Sequence, residues 1–232
     1  MKSSNKTIGI LLLTGAIALL IPYTMLTIIF EYPDILRQDT GIILTKFYQG
    51  GNSLIWTWFA FAITGIPLLP AYILIGQKFE NKSPLVRMAT TIGVIGLIVQ
   101  MIGLLRWTFV VPVLADTFVH ATGEATKAAA IVSFKTIHQF GGVILGEHLG
   151  QLFTIAWTVM MTISFAKLKL LPKWVNGLGI ISAVIYLLAQ AELFATVIKG
   201  FLVWEMAGFI GSTLWLVWLI VIGVLFLKMK EN

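Results

Sequence analysis

Six long apolar runs dominate the sequence, and each is long enough to cross a lipid bilayer, which requires about 20 apolar residues in a helix. The runs cover residues 8–30, 52–76, 88–115, 137–166, 174–198 and 204–228. Inside lipid a chain must satisfy its own backbone hydrogen bonds, so each run is predicted to be helical. We therefore predict an all-α fold: a six-helix transmembrane bundle with short interfacial helices, forming a single transmembrane domain over residues 1–232.

The composition is typical of a protein that lives in a lipid bilayer. Hydrophobic residues make up 58% of the chain and charged residues 11%, compared with about 25% charged in average soluble domains. The net charge of +6 comes from lysines between the apolar runs, as in topology signals, so we expect no nucleic-acid partner. The absence of cysteine excludes disulfides, thiolate-bound zinc, iron–sulfur clusters and a cysteine nucleophile.

The distribution of Lys and Arg predicts the orientation. With the N-terminus inside, ten lie in the inner segments: Lys2, Lys6, Lys78, Lys82, Arg87, Lys167, Lys169, Lys173, Lys228 and Lys230. Five lie in the outer segments: Arg37, Lys46, Lys127, Lys135 and Lys199. Cytoplasmic loops are enriched in these residues, so both termini are predicted to be cytoplasmic. The two longer outer connections, 35–48 and 124–134, are predicted to form short helices that lie on the membrane or cap the bundle.

An ionisable pair, Glu147 and His148, lies near the middle of the fourth run. Ionisable residues are expensive at membrane depth, so they usually face the bundle interior and mark a functional site. Gly142, Gly146 and Gly150 flank the pair at intervals of four residues, a spacing that lets another helix approach closely. This segment is therefore the first candidate for a functional site.

A polar stripe continues from Glu147 along the fourth run. Gln151 and the threonines that follow it are spaced by three or four residues, and so lie along one face of an α-helix: Thr154, Thr158 and Thr162. Two interpretations remain open. The stripe either lines a cavity or pathway, or joins two helices through polar side chains.

The third run carries a complementary face formed by Gly93, Gly96, Gln100, Gly103 and Trp107, and we predict that its glycines pack against those of the fourth run. Arg106 lies beside this face and has two interpretations. It either snorkels to the outer interface, with Trp107 in an aromatic belt, or pairs with Glu147 inside the bundle and lowers the burial cost of both charges.

The fifth run adds a third polar face of Ser182, Tyr186 and Gln190, followed by Glu192 near its outer end. Glu192 is either an interfacial carboxylate or a second acid near Arg106. The candidate ligand-binding residues are Arg106, Glu147, His148, Gln151, Gln100 and Glu192.

We expect no metal and no cofactor. His138 and His148 lie ten residues apart in one run, about 15 Å along an α-helix axis, so one ion cannot bind both. No H-E-x-x-H motif occurs, and neither histidine has a matched partner for haem ligation. Buried, hydrogen-bonded histidines are the simpler interpretation. The glycine-rich dinucleotide loop, the phosphate-binding loop and the serine-nucleophile motif are also absent.

Several local patterns in the central and C-terminal two-thirds resemble an uncharacterised bacterial family of small six-helix membrane proteins, the domain of unknown function 4386 family. The resembling residues are Arg106-Trp107, Pro112, Leu114-Ala115, His138, Gly146-Glu147-His148-Leu149-Gly150 and Leu171-Pro172-Lys173-Trp174. The resemblance implies a six-helix protein of the bacterial cell membrane. It implies no reaction, substrate or ligand.

Three classes of function remain open. The first is binding or transport of a small solute or a proton through the polar residues, with a homodimer supplying the second bundle that a six-span transporter lacks. The second is an intramembrane enzyme that uses Glu147 and His148 as acid–base groups or metal ligands. The third is a non-catalytic module that assembles with a partner through the glycines of the fourth run.

Overall fold

The computed structural model describes residues 4–230, and this part of the chain is helical without strands. Within it, six helical spans are long and apolar enough to cross a membrane: Asn5–Phe30, Thr40–Phe79, Pro84–His120, Glu124–Lys167, Lys173–Ala195 and Ala207–Lys228. The predicted all-α class and the six spans are confirmed. The protein is therefore an integral membrane protein that crosses the bilayer several times.

Most spans are broken into shorter elements. In chain order these are α1 (Asn5–Phe30), a 3-10 turn (Asp34–Arg37), α2 (Thr40–Ile63), α3 (Leu68–Phe79), α4 (Pro84–Phe109), α5 (Val111–His120), α6 (Glu124–Ile137), a π-helix π1 (His138–Leu149), α7 (Gly150–Lys167), α8 (Lys173–Leu188), α9 (Gln190–Ala195) and α10 (Ala207–Lys228).

Two of the breaks have local causes. Gly51, inside α2, has φ 56° and ψ −150°, a left-handed conformation that glycine adopts without a steric penalty. Pro112 lies in the first turn of α5, where its missing N–H costs little, and it prevents α4 from continuing beyond Phe109. The second and third spans are therefore each bent near one end.

The bent spans form a cap on one side of the bundle, which we define as residues 34–50 and 111–137. The span Glu124–Lys167 has 44 residues, and the 14 residues of α6 and 18 of α7 alone cover about 48 Å at 1.5 Å per residue, whereas a bilayer core is about 30 Å thick. Its excess length belongs to the cap. Both predicted connecting segments are helical there, but neither is a separate short helix. The first consists of the 3-10 turn and the start of α2, which continues beyond Gly51 to Ile63, and the second continues directly into π1 instead of ending near Phe134.

Two apolar cores lie at opposite ends of the bundle. The terminal core, on the side of the chain ends, contains Trp157 and Trp218. The cap core contains Phe30, Trp58 and Trp107, and the rings of the two tryptophans stack with centroids 4.7 Å apart. Trp107 is fully buried, so its predicted place in an aromatic belt is wrong: its ring fills the cap core instead.

The helices close into a ring in the order α1, α10, α8, α7, α4 and then α2 with α3, which return to α1. The contact of α1 with α10 is close, because a β-carbon added to Gly9 would lie 2.7 Å from the carbonyl oxygen of Gly223. Next to it, the Asn5 amide donates to the carbonyl oxygens of Met229, at 3.4 Å, and Lys230, at 3.2 Å. The first and last helices therefore join the two ends of the described chain.

Candidate functional site

The candidate site is built around a seam in which α4 and the fourth span touch through their backbones. A β-carbon added to Gly103 would lie 2.6 Å from Gly146 Cα and 2.6 Å from the carbonyl oxygen of Gly141. Further along, one added to Gly96 would lie 3.5 Å from the Gly150 carbonyl oxygen. The predicted packing of the two glycine faces is confirmed at these positions. Gly93 differs, because it packs against Trp157 and Tyr72.

The middle of the fourth span is a π-helix, not the α-helix that the sequence pattern predicts. Residues His138–Leu149 form wider turns with i→i+5 hydrogen bonds, a rare geometry that is frequently found at functional sites. The α-helical angle and rise predicted between His138 and His148 are therefore wrong. Glycines at 141, 142 and 146 leave room for the wider turns to pack directly against α4.

Arg106 is held inside the bundle, with 7% of its surface exposed, so the snorkelling interpretation is wrong. Its Nη1 donates to the carbonyl oxygen of Gly103, and its Nη2 lies 3.4 Å from His138 Nδ1. Because a guanidinium only donates, His138 Nδ1 is the acceptor. The guanidinium also lies 5.2 Å from the centroid of the Trp107 ring. Its Nε has no acceptor among the described residues.

Glu147 interacts with Arg106 through charge but without direct contact. The ion pairs closer than 4.0 Å within residues 4–230 do not include this pair, although each group acts electrostatically on the other. A direct pair, which was one of the two interpretations of Arg106, is absent from the described residues, and Arg106 donates to Gly103 and His138 instead. The half-buried carboxylate of Glu147 has no hydrogen-bond donor in the described part of the chain.

Two tyrosines lie within electrostatic range of Glu147: Tyr32, which follows α1, and Tyr186 of α8. Burial raises the pKa of the Tyr32 phenol, and the negative charge of Glu147 raises it further. The phenol therefore stays protonated near neutral pH. The charge of Glu147 therefore acts on phenols from two different parts of the fold.

Gln190 joins three polar groups of the fourth span. Its Oε1 lies 2.7 Å from His148 Nδ1, which must donate because an amide oxygen only accepts. Its Nε2 donates to Gln151 Oε1 at 2.6 Å and to the carbonyl oxygen of Glu147 at 3.4 Å. Gln190 is absent from the residues predicted to bind a ligand, although its spacing of four from Tyr186 already placed it on a polar face.

The other two predicted residues lie apart from this network. Gln100 lies on the glycine seam, where its Nε2 donates to Thr154 Oγ1 at 3.1 Å. Glu192 lies beside the cap and binds Arg37 through contacts of 2.9 Å and 2.7 Å, with 35% of its side chain exposed. The structure thus brings His148 and Gln151 together through Gln190, places Arg106 and Glu147 nearby, and leaves Glu192 in a separate ion pair.

The fold and these side chains define a class: a six-span integral membrane protein with polar groups between two apolar cores. The model of the family described as "Domain of unknown function (DUF4386)" matches residues 7–223, and the chain belongs to this family. No curated protein and no solved structure matches the chain significantly. The resemblance noted in the sequence is confirmed, and it extends over the N-terminal third as well.

Proposed function

We propose that this protein binds a small solute or a proton at its intramembrane polar groups and transports it across the bilayer. The observation that carries the proposal is a pair of opposite charges, Arg106 and Glu147, that interact electrostatically without direct contact. Within the described chain, Arg106 Nε is buried without an acceptor, and the half-buried Glu147 forms no ion pair closer than 4.0 Å. A charge at the bilayer centre costs at least about 2.5–3.5 kcal/mol, so such groups persist where they serve a function.

The surrounding contacts leave these two groups available to a ligand. His148 and Gln151 are already bound by Gln190, which fixes their positions. Arg106 offers a positive charge to an anionic part of a solute, and Glu147 offers a negative charge or a proton-binding oxygen. The pair can therefore recognise a small polar molecule at both ends, or exchange a proton at Glu147.

The other two classes of function gain no support from the geometry. Glu147 and His148 have different surroundings, because His148 donates to Gln190 while Glu147 lies near Arg106 and the tyrosines. They do not form a joint acid–base pair. Gly146 and Gly150 are covered by α4 of the same chain, so this face is not available to a partner.

Glu147→Gln is expected to remove transport while preserving the fold, because an amide fills the same volume without a titratable charge. The protein is reconstituted in liposomes that contain a pH-sensitive dye, and proton flux is measured with and without small organic acids and amines outside. We expect Glu147→Gln to lower the flux by at least about tenfold, equivalent to about 1.4 kcal/mol.

The matched control for this experiment is Glu124→Gln, which removes an exposed carboxylate from the ion pair with Lys127 in the cap and should keep most of the flux. Glu147→Leu should unfold at a lower temperature than Glu147→Gln, because it removes the polar group altogether. Equal proton flux and equal solute dependence in wild type and Glu147→Gln would contradict the proposal.

We also propose that the protein lies in the bacterial cell membrane with both termini in the cytoplasm. The support is the excess of Lys and Arg on the side of the termini. Reporter fusions after Lys82, after Lys169 and at the C-terminus should read cytoplasmic, whereas a fusion at Gly123, between α5 and α6, should read external. A cytoplasmic signal at Gly123 would reverse this orientation.

A homodimer is part of the proposal, because a second bundle would supply the repeat that a single six-span chain lacks. The mass of the purified protein in detergent, measured by light scattering, tests this element independently of transport. A monomer mass at all concentrations would remove the dimer from the proposal.

A further inference from the structure

A second polar region lies in the cap, apart from the Glu147 network. An open cavity of about 530 Å³ lies between the start of α2, the junction of α6 with π1 and the residue that follows α9. Its polar lining includes Gln38, Thr40, Lys135, Thr136, His138 and Gln139. Small-molecule sites typically have volumes of about 300–1,000 Å³, so the cavity is large enough for a small ligand.

The charge of this lining is positive. The exposed Lys135 is the one fully charged residue of the lining formed by the described residues, and the exposed acid Asp39 lies between the lining residues Gln38 and Thr40 without being part of the lining. Lys135 forms no ion pair within residues 4–230. The acids Asp34 and Glu192, on the same side of the bundle, are both bound to Arg37.

Two further features add positive potential. α2 begins at Thr40 in the cavity wall, and the side chain of its N-cap residue, Asp39, makes no capping hydrogen bond. The first backbone N–H groups of a helix lack partners within the helix and attract anions. His138, which also lines the cavity, contacts the guanidinium of the buried Arg106.

We propose that this cavity binds a small anion through a carboxylate or phosphate group. Lys135 supplies the charge, and the amide of Gln139 and the hydroxyl of Thr40 supply neutral hydrogen-bond donors. The site does not use Glu147, so it goes beyond the proposed function and stands without it. On the proposed topology it opens to the outside of the cell.

Anion binding is tested on the purified protein in a neutral detergent by thermal unfolding. Sodium phosphate and sodium acetate are titrated separately, with ionic strength kept constant by sodium chloride. A ligand that binds only the folded state raises the unfolding temperature in a saturable way. We expect Lys135→Gln to weaken the apparent affinity by at least about tenfold, because a charge-assisted hydrogen bond is lost, and Lys135→Arg to preserve it.

The matched control is Lys127→Gln, which removes a lysine from the same helix, where it pairs with Glu124 outside the cavity lining. A second arm compares nanodiscs of phosphatidylglycerol with nanodiscs of phosphatidylcholine. Stabilisation by free phosphate or acetate identifies a soluble anion as the ligand. Stabilisation by phosphatidylglycerol alone, if lost in Lys135→Gln, identifies a lipid headgroup phosphate.

Two results would overturn the anion site. One is no saturable stabilisation by any of these anions. The other is equal binding by Lys135→Gln, Lys127→Gln and wild type. Glu147→Gln should bind phosphate as the wild type does. The transport proposal can therefore fail in the flux measurement while the anion site is still supported by thermal unfolding, and the reverse.

Discussion

Gly103→Ala is expected to lower the free energy of unfolding by about 3 kcal/mol or more, the upper range for overpacking a well-packed contact. The added methyl group would lie 2.6 Å from both Gly146 Cα and the Gly141 carbonyl oxygen. Both are backbone atoms, so no side chain can rotate away and the two helices must separate. Thermal unfolding in detergent, followed by tryptophan fluorescence, measures the effect.

Gly177→Ala is the matched control, because Gly177 lies in α8 and an added β-carbon there meets nothing within 4 Å. Alanine is more favourable than glycine inside a helix by up to about 1 kcal/mol, so this variant should be at least as stable as the wild type. On the facing helix, Gly146→Leu should destabilise far more than Leu145→Ile. Similar unfolding temperatures for Gly103→Ala and Gly177→Ala would show that the seam is loosely packed.

Gln190→Leu is expected to destabilise the protein by about 2–4 kcal/mol, since it removes hydrogen bonds to three groups in a buried region. Leucine fills a similar volume but leaves His148 Nδ1 and Gln151 Oε1 without their present partner. Thermal unfolding reports the loss of stability. The proton resonances of the His148 ring, followed by NMR, report whether its hydrogen bond is lost.

Gln139→Leu provides the comparison for Gln190→Leu. Gln139 also forms a side-chain hydrogen bond, to Thr196 at 3.0 Å, but this contact is exposed in the cap. Its loss should cost less than about 1 kcal/mol, because water replaces the partner. If both glutamine variants unfold at the same temperature, Gln190 does not organise the polar groups of the fourth span.

The six spans could be predicted because hydropathy and length act along the chain and need no knowledge of neighbouring helices. The breaks at Gly51 and Pro112 depend on local chemistry of the same kind, although their directions do not follow from the sequence. The π-helix could not be predicted, because a repeat of 3.6 residues assumes α geometry along the whole run. The close approach of Gly103 to the Gly141–Gly146 backbone also depends on a neighbouring helix that the local pattern does not describe.

The candidate site was predictable only in part. The glycine seam follows from small residues at regular spacing, and the structure confirms it. The hydrogen-bond partners of Arg106 could not be predicted, because the proximity of Arg106 to Gly103 and His138 depends on the depth and rotation of two helices. The role of Gln190 could not be predicted for the same reason. Its hydrogen bonds to His148 and Gln151 depend on which helix packs against its polar face.

The contact between the first and last helices has a consequence for biosynthesis. α1 leaves the ribosome before the other described helices and its close partner α10 after them, so Gly9 cannot meet Gly223 until the four spans between them have been made. Until then α1 must be sheltered by lipid or by the insertion machinery. Chains released before α10 is complete would display an unfilled groove along α1, a mark by which membrane quality control can distinguish unfinished copies from finished ones.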